Sequence, residues 1–211
     1  MGIGFVILIH LIAIFILSII IALFASLVTF FVTTKERRKW KILLAFISPF
    51  VGLYTLYFCG LIGSILVSEI KNVDVGIGDA WYVPLENNCQ LLFIDLPEQA
   101  YIEKDGQTII SDVMQIEQNG NQILGKTNEN KYFSYNTATN ELKNFANEYE
   151  MIVINSNKKH KLINAIDFYT DKRNDIAGIW FIIVGCISLF ISMATIYLLR
   201  KIMLGQFILK R

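Results

Sequence analysis

Three stretches of the chain carry no charged side chain, and they dominate its pattern. Gly2 to Val32, Ile42 to Val67 and Ala177 to Leu199 are almost continuously apolar. Each reaches or exceeds the about 20 residues that an α-helix needs to cross a hydrocarbon core. The pattern predicts transmembrane helices over 3–32, 42–67 and 177–199. The first run is too long for a cleaved signal peptide, and its basic residues follow it rather than precede it.

Between the second and third runs the period shortens. Asp105-Gly106, Asn119-Gly120 and the polar break from Asn136 to Asn140 separate segments rich in β-branched and aromatic residues, as in tight antiparallel turns. Strands are expected at Trp81–Leu85, Gln90–Asp95, Ala100–Lys104, Gln107–Ser111, Val113–Gln118, Gln122–Thr127, Lys131–Asn136 and Glu141–Phe145. A short helix is expected around "NEYEMIVINSN", and Lys158 to Arg173 reads as a polar approach to the third apolar run. The fold class is thus a membrane protein of α+β type, with three transmembrane helices and a mainly antiparallel β domain over 68–176, in one curled sheet or small barrel.

Composition agrees with that division: 54% of the 211 residues are hydrophobic and 18% charged, with a mean hydropathy of +0.49, too apolar for an ordinary soluble domain. Charge adds direction. Lys35, Arg37, Arg38, Lys39 and Lys41 fill the loop 33–41, and Arg200, Lys201, Lys210 and Arg211 fill the tail 200–211. Basic residues are retained on the cytoplasmic side. These nine topology determinants predict a bacterial inner (plasma) membrane protein with the loop and tail inside, and the N-terminus and residues 68–176 outside. The external segment is acidic, with 17 Asp and Glu against 10 Lys and Arg, and this excludes a nucleic-acid surface.

Small residues let membrane helices approach. Ser18, Ala22 and Ser26 in the first run, and Ser48, Gly52, Gly60 and Ser64 in the second, recur at multiples of four. The two stripes are expected to face one another across an antiparallel hairpin, and Pro49 to kink the second helix. Helices packed in this way also admit homo- or hetero-oligomers. His10 is the one ionisable side chain within the runs; without an acidic partner in any run it reads as an interfacial neutral residue rather than a proton relay.

Chemistry is sparse. Cys59 and Cys186 fall within membrane runs, so Cys89 has no evident disulfide partner and reads as a small buried residue. No nucleophile elbow, zinc-protease helix, phosphate loop or calcium loop is present. Asp167, Asp171 and Asp175 share a helical face beside Lys172 and Arg173, as a wet surface does. The expectation is a non-catalytic protein with no cofactor and no metal, in contact with the lipid bilayer and with a protein partner on the external side. Trp81, Tyr82, Tyr101, Tyr132 and Tyr135 are the aromatic candidates for that partner surface, although alternation sends about half of any such set inward.

The stretch "GDAWYVPLENNCQLLFIDLPEQAYIEKDGQTIISDVMQIEQNGNQILGKTNENKYFSYNTATNEL" resembles small bacterial envelope domains that share a "YxPLxxxxxLxxID" opening, a "YFxxNTxTxEL" hairpin and a closing "FY", here Phe168-Tyr169. Those lipoprotein-like domains usually follow a leader; this chain carries three apolar helices instead. The resemblance implies a β-rich envelope domain, transfers no active site, and suggests an immunity-like or sensing role in which a displayed surface binds a partner. The competing expectation is an accessory or structural subunit of a membrane complex, with the helices making the main contacts.

Overall fold

The computed structural model describes residues 2–96, 100–154 and 161–205. They form two compact units, Val67–Ile179 and a helical unit of Gly2–Leu66 with the chain from Trp180 onward.

The helical unit contains α1 (Ile3–Val32), most of α2 (Arg38–Lys71) and most of α5 (Ile179–Gly205). Among the described residues three helices are long and apolar enough to cross a membrane. Helix α2 starts earlier than the apolar run does, so Arg38, Lys39 and Lys41 lie on its first turn and only Thr33 to Arg37 remain as loop. In that loop Arg37 has a left-handed backbone, φ +56°, and donates to the carbonyl of Leu204 at 2.8 Å. The Arg38 guanidinium lies 3.8 Å from the Phe30 ring centroid. The α1–α2 loop and the end of α5, with Arg200 and Lys201, therefore share one end of this unit. Lys210 and Arg211 lie outside the described residues.

The expected face-to-face stripes are corrected here. Ser18 and Ala22 are buried, but the glycines of α2 face α5 rather than α1. A methyl group on Gly52 would meet Ile196 and Ser192, one on Gly60 would come within 3.9 Å of the Ser188 hydroxyl, and one on Gly63 would run into Val184. Ser192 Oγ donates to the Gly52 carbonyl at 2.8 Å. Helix α1 meets α2 through larger groups: Phe15 and Phe50 at 5.8 Å between ring centroids, Tyr54 donating to the Leu11 carbonyl at 3.1 Å, and His10 edge-on to Tyr57, 3.4 Å from its hydroxyl. At about 100° per residue, Phe50, Tyr54 and Tyr57 point one way from α2 and its glycines the other. The middle helix has two working faces, which spacing by four alone does not separate. It continues helical through Pro49, with Ser48 Oγ donating to Leu44 at 2.6 Å.

The other unit is an antiparallel meander in strand order β1 to β7: β1 (Ala80–Pro84), β2 (Cys89–Ile94), β3 (Ala100–Lys104), β4 (Gln107–Asn119), β5 (Gln122–Thr127), β6 (Tyr132–Asn136) and β7 (Glu141–Phe145). The two strands expected at Gln107–Ser111 and Val113–Gln118 are one. Asp112 adopts φ +56° inside β4, and the β3 and β5 registers both shift beside it. A polar residue that looks like a turn is here a bulge, since Asp tolerates the left-handed region that a bulge needs. Past the bulge β4 leaves β3 and takes β8 (Ile163–Asn164) as a neighbour, through Gln115 and Ile116.

Helix α3 (Glu148–Ile154) and α4 (Ala165–Arg173) follow the sheet, and a π turn at Asn174–Gly178 joins α4 to α5. The third apolar run is therefore the later part of one helical stretch from Ala165 to Gly205. Asn164 caps α4 by accepting from the Ile166 amide at 3.0 Å.

The sheet curls until turns far apart in strand order meet. Asn87 donates to Asn121 Oδ1 at 3.0 Å and to Thr137 Oγ1 at 2.8 Å, and Lys104 donates to the Thr137 carbonyl at 2.7 Å. Among the described residues no backbone pairing joins β1 to β7. The inner face holds Val83, Leu91, Phe93, Ile102, Val113, Ile116, Ile123, Phe133 and Tyr135, all buried. Strands β5 and β6 are covered on their other face as well, where Leu124, Phe145 and Met151 of α3 form a second cluster with Tyr132 and Leu162.

Candidate partner-binding surface

Strict alternation in β1, β2 and β3 sends one residue in two away from the core. Register then decides which of these become neighbours. Tyr82 lies opposite Leu92, and Leu92 opposite Tyr101, so an aromatic–aliphatic–aromatic row crosses three strands on the outer face. Ala80 opposite Ile94 makes the row on one side of it, and Pro84, Gln90 and Glu103 the row on the other. Tyr82, Pro84, Leu92 and Tyr101 are half-buried and Ile94 is exposed. The inward partners on the same strands, Val83, Leu91, Phe93, Ala100 and Ile102, are fully buried. A cleft of about 660 Å³ opens on this face, and Asn72, Tyr82, Pro84, Asn88, Gln90 and Asp105 contribute to its walls.

The rim is carboxylate and amide. Gln90 Nε2 donates to Glu103 Oε2 at 3.0 Å, and Asn88 Nδ2 to Asp105 Oδ1 at 3.4 Å. From Asn72 to Asp112 the chain carries eight acidic residues against the single base Lys104, whereas the rest of 68–176 carries nine of each. Of these acids Asp74 is paired with Arg173 and Glu86 faces Lys172, whereas Glu103 and Asp105 stand at the rim of the outer row. Lys104 does not offset them on the outer face, because its ammonium is held by the Thr137 carbonyl and by Asn140 Oδ1 at 2.6 Å.

An internal clamp fixes the edge of this surface. Asp74, 3% exposed, lies between α2 and β1. Its amide donates to the Tyr82 carbonyl at 3.3 Å, and its carboxylate accepts from the Tyr169 hydroxyl at 2.6 Å and from the Gly76 amide at 2.7 Å. Arg173 Nε stands 3.4 Å from the same carboxylate. Tyr169 packs edge-on against Phe93, centroids 5.6 Å apart. Burial, and then donation to Asp74, push the Tyr169 phenol well above the usual tyrosine range, against the opposing charge of Arg173. Gly76, with φ +86°, leaves room for the Arg173 guanidinium, which a Cβ would approach to 2.8 Å. Nothing in the chain's local spacing announces this cluster, for its members are almost 100 positions apart.

The five expected surface aromatics do not form one surface. Tyr82 and Tyr101 share the outer row. Trp81, opposite Phe93, lies on the inner face of β1. Tyr132 belongs to the α3-covered side, with Lys126 Nζ 5.6 Å from its ring centroid. Tyr135 is 1% exposed and lies in the core; it is not a surface residue. Leu92, Gln90, Glu103 and Asp105 were not singled out from the sequence, yet alternation in "WYVPL" and "QLLFI", together with a charge count by segment, points to them.

Other features single themselves out less. Cys89 is buried, and burial pushes its thiol up from the ordinary range. Asp167, Asp171 and Asp175 are all exposed; the latter two line a hollow of about 480 Å³ with Glu86, Phe168 and Lys172. Desolvation lowers the Lys172 ammonium there, and the Glu86 carboxylate holds it up. Among the described residues no three His, Cys, Asp or Glu side chains are grouped to hold a metal ion. His160 lies outside the described residues.

No protein family, curated protein or solved structure matches the chain.

Proposed function

We propose that this chain is a bacterial inner-membrane protein whose three helices span the bilayer and display an acidic β domain that binds a protein partner outside the cytoplasm. The role is non-catalytic, of an immunity-like or sensing kind. One observation carries the reading: a sheet curled round its own core and covered by α3 along β5 and β6 leaves a coherent outer row, Tyr82–Leu92–Tyr101, half-exposed along β1–β3. An apolar row with a polar rim is how interfaces are arranged. The orientation rests on the clustering of basic residues about the α1–α2 loop and the end of α5, and the likeness to envelope domains supports the placement of the β domain.

Capture from envelope extracts by the full chain in detergent, beside capture by residues 68–173 alone, tests the reading. A partner retained by both supports it; a partner that requires the helices favours the second reading, an accessory subunit. One feature speaks for that second reading: Gly185 lies on an exposed face of α5 with open space around it, where another helix can approach closely. Topology is tested by fusing a reporter active only outside the cytoplasm within the Asn119–Asn121 turn; a silent reporter contradicts the orientation.

A further inference from the structure

We infer that the partner presents a basic polypeptide segment to the outer face of β1–β3, with Lys or Arg head groups over the Tyr82 and Tyr101 rings and against Glu103 and Asp105. This rests on the reading of the domain as a displayed binding unit and names the chemistry that the unit selects. Three independent features of the face converge on a cation. The row supplies two half-buried phenol rings flanking Leu92, and ring faces attract ammonium and guanidinium groups. The rim supplies carboxylates that accept from amides, Glu103 from Gln90 and Asp105 from Asn88, so each keeps acceptor capacity for a charged donor. The one base on β1–β3, Lys104, is held by the Thr137 carbonyl and Asn140 and does not neutralise them.

Charge complementarity also discriminates. An anionic lipid surface or nucleic acid would meet like charge at this face, which costs affinity and slows encounter, whereas a basic chain is drawn to it. The aromatic row and the carboxylate row lie side by side across the three strands, so alternate side chains of an extended segment can reach one and the other.

The test titrates a fluorescent deca-arginine peptide onto the full-length protein in nanodiscs of zwitterionic lipid, beside deca-glutamate. Deca-arginine is expected to bind at least tenfold more tightly. The Glu103→Gln, Asp105→Asn pair should weaken it about tenfold and flatten its salt dependence. Tyr82→Ala with Tyr101→Ala should weaken it by a similar factor at unchanged net charge, and Tyr101→Phe, which keeps the ring, should not. The Glu129→Gln, Glu141→Gln pair, equal in charge removed but on the balanced half of the sheet, should stay within about twofold. Equal effects from the two charge pairs, or no preference over deca-glutamate, would overturn the inference. So would binding of the empty-handed protein to anionic vesicles through these same residues. If deca-arginine fails while envelope capture by residues 68–173 succeeds, the display reading stands and only this inference falls; if both fail, both fall.

Discussion

The two halves of one sheet use the same alternation to different ends. In β5 and β6 both faces are committed: Ile123, Phe133 and Tyr135 fill the core, while Leu124 and Phe145 on the far side receive Met151 of α3. Acids and bases are balanced outside the β1–β3 segment. In β1–β3 the inward Val83, Leu91, Phe93, Ala100 and Ile102 are fully buried, and the outward set is a half-exposed aromatic row with carboxylates at its rim. Residues spent on packing cannot also recognise a partner, so the half with less packing is where recognition is to be sought.

The largest effect should come from cutting the clamp that holds the open half in place. Asp74→Ala removes the carboxylate that faces Arg173 and accepts from the Tyr169 hydroxyl and the Gly76 amide, and a loss of about 3 kcal/mol is expected. Denaturant unfolding of the detergent-solubilised protein, followed by near-ultraviolet circular dichroism, measures it; a change below about 1 kcal/mol would mean that the clamp is ornamental.

The contrast between halves is sharpened by paired truncations. Met151→Ala removes a fully buried side chain and should cost about 2.5 kcal/mol, while Leu92→Ala on the open row should cost about 1 kcal/mol or less. Equal costs would show that something covers the open face.

Gly125 probes the closed half more finely. Its missing side chain leaves space for the Phe133 ring, and an added Cβ would lie 2.7 Å from the Gln115 carbonyl. Gly125→Ala should cost about 2 kcal/mol in the same assay, an overpacking penalty that no position of the open row would show.

The smallest effect depends on pH. The Tyr169 phenol keeps its proton in the folded protein above tyrosine's ordinary 10.0, whereas the unfolded chain releases it there. Its contribution is complete below about pH 10 and lost as pH rises beyond it, because the native state then binds more protons than the unfolded one. Tyr169→Phe should cost about 1 kcal/mol at neutral pH, the worth of a buried hydrogen bond, and should remove this alkaline loss. An unchanged alkaline slope in the variant would place the titrating group elsewhere.

Much of this architecture could be read from the chain before any coordinates. Runs free of charge mark the long helices because a bilayer demands length and apolarity without regard to partners. Asp105-Gly106, Asn119-Gly120 and the break from Asn136 to Asn140 mark strand ends because few residue types accept the positive φ found at Asp105, Gly106, Gly120 and Asn140. What escaped depends on tertiary geometry. Asp112 has the composition of a turn and the role of a bulge, and only its neighbours decide between them. The choice of α5 for the glycine face of α2 depends on the third helix. Tyr82 and Tyr135 look alike in sequence, and their opposite fates follow from which face of the curled sheet each strand turns them to. Asp74, Tyr169 and Arg173 meet across almost the whole β unit.

The most direct test of the central claim places a photo-activated cross-linking residue at Leu92, Ile94 or Tyr101 in living cells, and at Lys126, Glu141 or Lys143 for comparison. The account predicts that one protein is captured from the β1–β3 positions, through a basic peptide, and is absent from the β5–β7 set. Capture of that protein from the second set alone, or equally from both, would contradict it.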